Sequence, residues 1–294
     1  MNIRARTVVR GLALAFAGAL LPASAAEVSG FAERGTFQPY EISGVPLLDS
    51  FFFRYHNDEH HLQAIQIEPA SPIPNPCAEC ADVPAGQIFL TFQDEGADDN
   101  YFYRVSHASV PEGVFRHRTS DFCKNTCSQW LNRPSRDHVF VITGFTFFFP
   151  GKDHRLTRIA IWEENGQLTV HYKDRNGDDL FRYDLGYVYL PREMIPITGH
   201  VSGVEARGEA SATLDLGPVR TGPTVLRGFD LVFLPDLDFG MDYDQEVREI
   251  GIRTPENRIE VFFSNNDRDR FDWGVDWGAL SRLPVVFPDP PRVR

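Results

Sequence analysis

The chain has 294 residues, a formal net charge of −12, 24 Phe and 9 Tyr. The negative charge argues against nucleic acid and anionic membrane surfaces as partners, because an acidic chain is repelled by phosphate groups. The length exceeds that of a common single domain, so two or three domains are expected. The many aromatic residues favour strands over helices.

The start of the chain has the three parts of a secretory signal peptide, predicted for residues 1–25. Arg4, Arg6 and Arg10 form a positive start, residues 11–21 form an apolar run, and Ala23-Ser24-Ala25 forms a small-residue cleavage site. The sequence therefore predicts an exported protein, periplasmic or extracellular, whose charge moves from −12 to −15 when the three arginines are removed. No later segment reaches about 18 uncharged apolar residues, so no transmembrane segment is expected in the mature chain.

One pattern of strands recurs three times. We predict repeats at residues 26–111, 112–194 and 195–285, with a unit of about 80–85 residues, a Cys-containing insertion at 68–86 and a tail at 286–294. Apolar residues spaced by two mark four strands in each copy, and the preceding segments add lead-in strands. The sequence predicts an all-β chain of three tandem antiparallel β-sandwich-like repeats.

The second copy shows the strand pattern most clearly. Its four strands carry their apolar residues at 145–149, 156–161, 168–172 and 181–187, and we interpret them as an antiparallel meander. In the second of these strands the spacing is three and then two, which one β-bulge, or a strand that starts after the first of these residues, would explain. Asn165-Gly166 predicts a tight hairpin between the second and third strands.

The four cysteines form two closely spaced pairs, Cys77 with Cys80 and Cys123 with Cys127. Because an oxidising compartment favours disulfides, we predict disulfides, with local pairing and cross-pairing both open. Zinc binding by the four thiols and redox catalysis are the alternatives.

The turn between the third and fourth strands of each copy is acidic. Carboxylate and amide oxygens on alternate residues of a tight loop are typical calcium ligands. Asn, Asp and Gly also build plain hairpin turns, so a purely structural role is the alternative. The candidate calcium ligands are Asp94, Asp98, Asp99, Asp174, Asn176, Asp178, Asp179, Asp267 and Asp269.

A second group of polar residues lies at the turn between the first and second strands. His56, His60 and His61 in the first copy, and Asp153 and His154 in the second, form a possible ligand loop that could hold zinc or copper. Histidines on loops are more often plain surface residues. No catalytic motif stands out in the sequence, so the protein is expected not to be an enzyme.

The third copy resembles an H-type lectin domain. The resemblance rests on residues 225–233, 247–252, 259–263 and the closing aromatic strand 271–277, FDWGVDW. That family has a small antiparallel β-sandwich and forms trimers that bind galactose-type sugars. The resemblance thus implies a covalent three-copy arrangement that binds a glycan, and it assigns no sugar-binding residue.

Three functions remain open from the sequence. The first is a non-enzymatic binding protein whose partner is carbohydrate or another cell-surface component, with exposed aromatic rings holding sugar rings. The second is a structural or adhesive periplasmic protein whose loops bind calcium. The third is a hydrolase with a site between repeats.

Overall fold

The structure, a computed structural model, describes residues 25–33, 35–56, 61–70, 82–94, 100–111, 113–150, 155–175, 180–205, 208–214, 221–234, 247–255, 257–265 and 270–281. Within these ranges the chain contains strands and turns but no helix, which confirms the all-β prediction. It follows that the described residues hold no helix long and apolar enough to cross a membrane. Residues 1–24 of the predicted signal peptide and the predicted tail at 286–294 lie outside these ranges.

The described residues form eighteen strands. Their bounds are β1 Ala25–Glu33, β2 Thr36–Pro39, β3 Val45–Tyr55, β4 Leu62–Pro69, β5 Gln87–Asp94, β6 Asn100–Val110, β7 Arg116–Lys124, β8 Thr126–Trp130, β9 His138–Phe148, β10 Leu156–Glu164, β11 Gln167–Asp174, β12 Leu180–Pro191, β13 Ile197–Glu205, β14 Glu209–Thr213, β15 Thr221–Leu234, β16 Val247–Arg253, β17 Arg258–Asn265 and β18 Arg270–Ser281. Each predicted repeat therefore supplies six strands, the last four of which are those read from the sequence.

The strands assemble into three six-stranded antiparallel sheets. Sheet A has the order β1-β6-β3-β16-β17-β14, sheet B the order β2-β5-β4-β9-β12-β7, and sheet C the order β13-β18-β15-β10-β11-β8. In each sheet, the first, sixth and third strands of one repeat join the fourth, fifth and second strands of another. The junctions are the pairs β3 with β16, β9 with β4, and β15 with β10. Every sheet is thus shared by two repeats.

The predicted meander is wrong in two of its three connections. Only the fourth and fifth strands of each repeat pair as a hairpin, as in β4 with β5 and β10 with β11. The steps from third to fourth strand and from fifth to sixth strand both cross into a different sheet. Alternating hydrophobicity identifies the buried face of a strand, but it does not identify the strand's partner.

Within each repeat, the two half-sheets face each other as a β-sandwich. Rings from the third and fifth strands stack across each core with centroid separations of 4.1, 4.0 and 3.9 Å. The three stacks are Tyr55 on Phe92, Phe149 on Tyr172, and Phe233 on Phe263. The same contact at the same place in three repeats supports the predicted sandwich-like repeat.

A cluster of three phenylalanines joins the repeats at the centre of the molecule. Phe51, Phe145 and Phe229 occupy equivalent positions on β3, β9 and β15, and their ring centroids are 5.3, 5.7 and 5.6 Å apart. Each ring is at most 2% exposed. The three sheets therefore meet along their central strands, and their other faces point away from the core.

The predicted irregularities are confirmed by the strand registers. A register shift lies at the start of each fourth strand, between Leu156 and Arg158 in β10 and at the matching places in β4 and β16. Asn165 and Gly166 both have positive φ, 53° and 90°, as a tight hairpin turn requires. A second bulge, not predicted, skips one residue in each third strand: Asp49, Thr143 and Arg227.

Cys123 and Cys127 form a disulfide, which confirms the predicted chemistry and shows local pairing for this pair. The bond connects β7 at the edge of sheet B with β8 at the edge of sheet C, across a turn at Asn125. The disulfide therefore links the edge strands of the two half-sheets that form the second repeat. Cys77 and Cys80 lie outside the described residues.

Replacing Phe145 by Ala should destabilise the protein by about 3–5 kcal/mol, since a large buried ring is lost where three repeats meet. Urea denaturation followed by intrinsic fluorescence measures the change. Phe102→Ala serves as the control, because Phe102 is 45% exposed on the outer face of sheet A. Equal losses of unfolding free energy in the two variants would show that the central cluster contributes no more to stability than an exposed ring does.

Candidate functional site

The structure describes two of the nine predicted calcium ligands, Asp94 and Asp174. They take equivalent positions at the ends of β5 and β11 and are 8% and 2% exposed. The hydroxyl of Tyr172 lies 3.3 Å from Asp174 Oδ2. Because residues two apart in a strand share a face, the Asp174 carboxylate lies on the same core-facing side of β11 as Tyr172. The other seven lie outside the described residues: Asp98, Asp99, Asn176, Asp178, Asp179, Asp267 and Asp269. Calcium binding stays a prediction.

The predicted histidine loop is described in part. His56 is exposed and its ring lies 5.9 Å from Phe31 and 6.1 Å from Phe102, whereas His61 is half-buried. His60, Asp153 and His154 lie outside the described residues. Over the part of the chain that is described, the residues close enough to share a metal ion are Asp121, Cys123 and Cys127. Because both sulfurs are in the disulfide, they offer no thiolate ligand.

The three outer faces of the sheets can be compared position by position, because the repeats superimpose. Ile67, Ile161 and Ile252 pair with the three central phenylalanines, so the next residues along these strands are equivalent. These next residues are Glu68 in sheet B, Trp162 in sheet C and Arg253 in sheet A. One structural position therefore carries an anion, an aromatic ring and a cation, which points to different roles for the three faces.

Sheet B uses its outer face for a buried ion-pair network. Arg116 Nη2 lies 2.8 Å from Glu68 Oε1, Arg118 Nη1 lies 3.3 Å from the same oxygen, and Arg118 Nη2 lies 2.9 Å from Asp184 Oδ2. All four side chains are at most 5% exposed. Two cations and two anions neutralise each other, so breaking one partner would leave a buried charge. This network holds repeats 1 and 2 together.

A buried histidine extends that network toward the first repeat. His107 Nε2 lies 3.0 Å from the carbonyl oxygen of Thr143, and its Nδ1 lies 2.7 Å from the hydroxyl of Tyr40. Burial lowers the pKa of His107 to about 3, so the ring is neutral at physiological pH. Arg116 Nε donates to Thr143 Oγ1 over 2.9 Å, which ties the histidine to the ion pairs.

On the outer face of sheet A, the residue at this position is held by neighbouring side chains. Arg253 lies 3.4 Å from Glu260 and its guanidinium is 5.9 Å from the centre of the Phe262 ring. Phe262 in turn contacts Phe52 edge to face at 5.0 Å. These contacts pair the charged and aromatic groups around Arg253 with one another.

The outer face of sheet C carries Trp162, which is half-buried. Arg158 and Asp230 form a two-pronged ion pair, with Nε to Oδ1 at 2.8 Å and Nη2 to Oδ2 at 2.6 Å. The Arg158 guanidinium lies 5.7 Å from the centre of the Trp162 ring. The indole, the cation and the carboxylate are therefore fixed relative to each other on neighbouring strands β10 and β15.

Small residues make a floor beside the indole. A Cβ on Gly228 would lie 3.2 Å from Asp276 Oδ2 and 3.3 Å from Trp162 Cα, and a Cβ on Gly274 would lie 3.0 Å from the His200 ring. His200 Nδ1 and Asp276 Oδ1 are 3.0 Å apart. The Asp276 carboxylate and the His200 imidazole thus lie over Gly228 and Gly274. Because these two residues have no side chains, both groups can lie close to the sheet.

The outer face of sheet C offers several hydrogen-bonding atoms in fixed positions. His200 is 58% exposed and Asp276 is 34% exposed, so His200 Nε2 and Asp276 Oδ2 remain available to a ligand. Arg158 uses Nε and Nη2 for Asp230, which leaves Nη1. Burial lowers the pKa of nearby Arg227, an effect that the negative charge of Asp276 opposes. This arrangement suits a ligand with one apolar face and hydroxyl groups along its edge.

Sequence reasoning missed this site because it looked for candidate ligand groups in the polar turns, whereas Trp162 lies within a strand. The available signal was phase: Trp162 follows Ile161 directly, so it points away from the buried face. The approach of Trp162, Asp276 and His200 depends on pairing between repeats 2 and 3, which the strand pattern does not show.

No protein-family model matches this chain, and no curated protein matches it either. The function is therefore argued from the geometry of the described residues.

Asp49→Asn should stabilise the protein at pH 8 and have little effect near pH 4. Burial raises the pKa of Asp49 to about 6, although Ser106 and Thr254 donate hydrogen bonds to its carboxylate. Because the folded pKa exceeds the unfolded value, the wild type loses stability as pH rises from about 4 to about 6. The substituted asparagine has no carboxylate to ionise, so the free energy of unfolding of the Asp49→Asn variant should exceed that of the wild type by on the order of 1–2 kcal/mol at pH 8.

Urea denaturation at both pH values measures the difference. Glu209→Gln, an exposed carboxylate on the same sheet face, is the matched control and should show no such pH dependence. An Asp49→Asn variant that is equally stabilised at both pH values, or destabilised at pH 8, contradicts the expected titration.

Proposed function

We propose that the protein is a non-enzymatic carbohydrate-binding protein whose site is the outer face of sheet C. The observation that carries the proposal is the outward Trp162 beside Gly228, flanked by the His200–Asp276 and Arg158–Asp230 pairs. A pyranose ring has an apolar face that stacks on an indole and equatorial hydroxyls that bond to carboxylates and guanidinium groups.

The comparison with the other two faces supports the choice of sheet C. At the position of Trp162, sheet B has the buried Glu68 and sheet A has Arg253 stacked on Phe262. Sheet C alone among these three described faces combines an outward indole with hydrogen-bonding atoms that the protein leaves unused. A site that differs where the scaffold repeats is more readily explained by ligand binding than by folding needs.

The site is also preorganised, which favours binding of weak, polar ligands. The ionisable groups of the two pairs beside Trp162 are each held by a partner on a neighbouring strand, so a ligand that contacts them need not order long flexible side chains. The predicted export of the chain and its resemblance to H-type lectin domains, which implies galactose-type sugars, agree with a glycan ligand. We therefore expect galactose-type sugars to be the first compounds to test.

Trp162→Ala should reduce glycan affinity by at least tenfold, because it removes the stacking surface, an aromatic contact of the kind that dominates binding sites. A glycan array with the mature chain identifies a bound sugar, and calorimetry with that sugar measures the affinity. Asp276→Asn should also weaken binding about tenfold or more, since hydrogen bonds to a charged group contribute about 1.5–3 kcal/mol.

Phe102→Ala provides the control, because it removes an exposed aromatic ring from sheet A and should leave affinity unchanged. The absence of any array hit, or unchanged affinity in Trp162→Ala, would exclude sheet C as a glycan site.

A further inference from the structure

A second outward tryptophan, Trp130, lies at the edge of sheet C. It ends β8 and is 75% exposed, the largest exposed fraction among the large apolar side chains that the structure describes. The preceding residue, Gln129, points inward, where its amide donates to the Tyr183 hydroxyl over 2.7 Å. Because successive residues of a strand point to opposite faces, Trp130 points outward. Trp130 and Trp162 therefore lie on the same outer face.

The strand registers give the separation of the two tryptophans. Trp130 pairs with Gln167 of β11, and Gln167 pairs with Glu164 of β10, two residues beyond Trp162. With strands about 4.8 Å apart and a rise of about 3.4 Å per residue, the two tryptophan Cα atoms lie about 12 Å apart. A single pyranose ring stacked on Trp162 does not cover a position so far away, whereas a short oligosaccharide does.

The aromatic ring at the edge position is specific to the second repeat. The strands β2, β8 and β14 are equivalent, because the last residue of each pairs with the first residue of a fifth strand. These last residues are Pro39, Trp130 and Thr213, and all three are exposed. The scaffold therefore needs no aromatic ring here. As at Trp162, an indole stands where the other two repeats have residues without a ring system of this kind.

The backbone that carries Trp130 is held on both sides of the residue. The amide of Leu131 donates to the carbonyl of Gly166 over 2.8 Å, which joins the end of β8 to the hairpin turn. A Cβ on Gly166 would lie 4.0 Å from Trp130 Cε3, so the indole lies close to this turn. Three residues before Trp130, Cys127 takes part in the disulfide. Binding at Trp130 therefore need not order a flexible segment.

Polar side chains occupy the surface between the two indoles. Thr169 pairs with Trp162 on one side and with Ser128 on the other, and Gln167 pairs with Trp130. Ser128 and Gln167 are exposed and Thr169 is half-buried. Hydroxyl and amide groups both donate and accept hydrogen bonds, as the hydroxyls of a sugar do. The surface thus combines two apolar rings with hydrogen-bonding groups between them, which suits a chain of pyranose rings.

We propose that the ligand of sheet C is an oligosaccharide longer than a disaccharide, and that Trp130 forms a second subsite for it. This inference rests on the proposed glycan site at Trp162. One sugar stacks on Trp162 between the two ion pairs, and the chain continues across Thr169 and Gln167 to a stacking contact on Trp130. Because both contacts belong to one ligand, the second adds affinity without a second association step.

Calorimetry with linear β-linked galactose oligomers of increasing length tests the proposal. Galactose and galactobiose should bind with similar affinity, and galactotetraose should bind at least tenfold more tightly because it reaches Trp130. Trp130→Ala should lower the galactotetraose affinity at least tenfold and leave the galactose affinity unchanged. An affinity that does not depend on length, or galactotetraose binding that is unchanged in Trp130→Ala, would overturn the proposal.

Phe115→Ala is the matched control. Phe115 is 69% exposed in the same repeat, but it directly precedes β7 at the edge of sheet B. Its loss should leave the affinities for galactose and galactotetraose unchanged. Trp130→Phe keeps an aromatic ring and should retain more galactotetraose affinity than Trp130→Ala, and equal losses in these two variants would contradict a stacking contact.

Quenching of tryptophan fluorescence by acrylamide gives an independent readout. Of the 4 tryptophans, Trp273 and Trp277 are each 4% exposed, so Trp130 is the most accessible to the quencher. Galactotetraose should protect Trp130 from acrylamide, whereas galactose should not. Equal quenching in the presence of the two sugars would overturn the second subsite.

Failure of this inference is distinguishable from failure of the proposed function. If galactose and galactotetraose bind equally and Trp162→Ala abolishes both, sheet C binds a single sugar and Trp130 takes no part. If the glycan array identifies another sugar, the same length series is made from that sugar. If the array gives no hit, the proposed function fails and this inference fails with it. A dimer in light scattering that Trp130→Ala dissociates would assign the exposed indole to a contact between copies and overturn the proposal.

Discussion

The pairing of the third strand of one repeat with the fourth strand of another is the constraint on which the structure depends. It completes all three sheets, and it brings Phe51, Phe145 and Phe229 into contact at the centre. A single repeat has two three-stranded half-sheets whose inner edges would expose unpaired backbone groups. Backbone hydrogen bonding and burial of the central rings therefore favour the same closed arrangement of three.

That closed scaffold explains why the three outer faces were free to diverge. The inner residues are tied by packing to equivalent neighbours, as the three aromatic stacks show. The outward residues do not pack against equivalent neighbours in the three repeats, and the same position holds Glu68, Trp162 or Arg253. At this position sheet B has a buried ion pair, sheet A has a guanidinium beside an aromatic ring, and sheet C has an outward indole.

Much of the fold could be predicted from the sequence, because strand burial follows local spacing. The alternation of apolar residues gave the strands, the three-then-two spacing gave the bulges near Leu62, Leu156 and Val247, and Asn165-Gly166 gave a hairpin. The pairing of strands from different repeats was not predicted, since the pattern of apolar residues is similar in the strands that could pair and does not identify the partner.

The candidate site could not be predicted for the same reason. Trp162, His200 and Asp276 are far apart in the chain and meet only because β10, β15 and β18 are neighbours in sheet C. The polar turns attracted attention in the sequence because their residues are adjacent, although most of them lie outside the described residues. Local composition thus identifies candidate turns, whereas a site built across strands requires the topology.

The shared sheets also determine the order in which this chain can fold. β3, near the start, obtains its partner β16 only after most of the chain has been made. Until then the edge of the β3 half-sheet lacks its neighbour, and the central phenylalanine cluster lacks Phe229. Contacts between such distant segments slow folding and delay the gain of stability. The first two repeats should therefore remain incompletely assembled until the third repeat has been made.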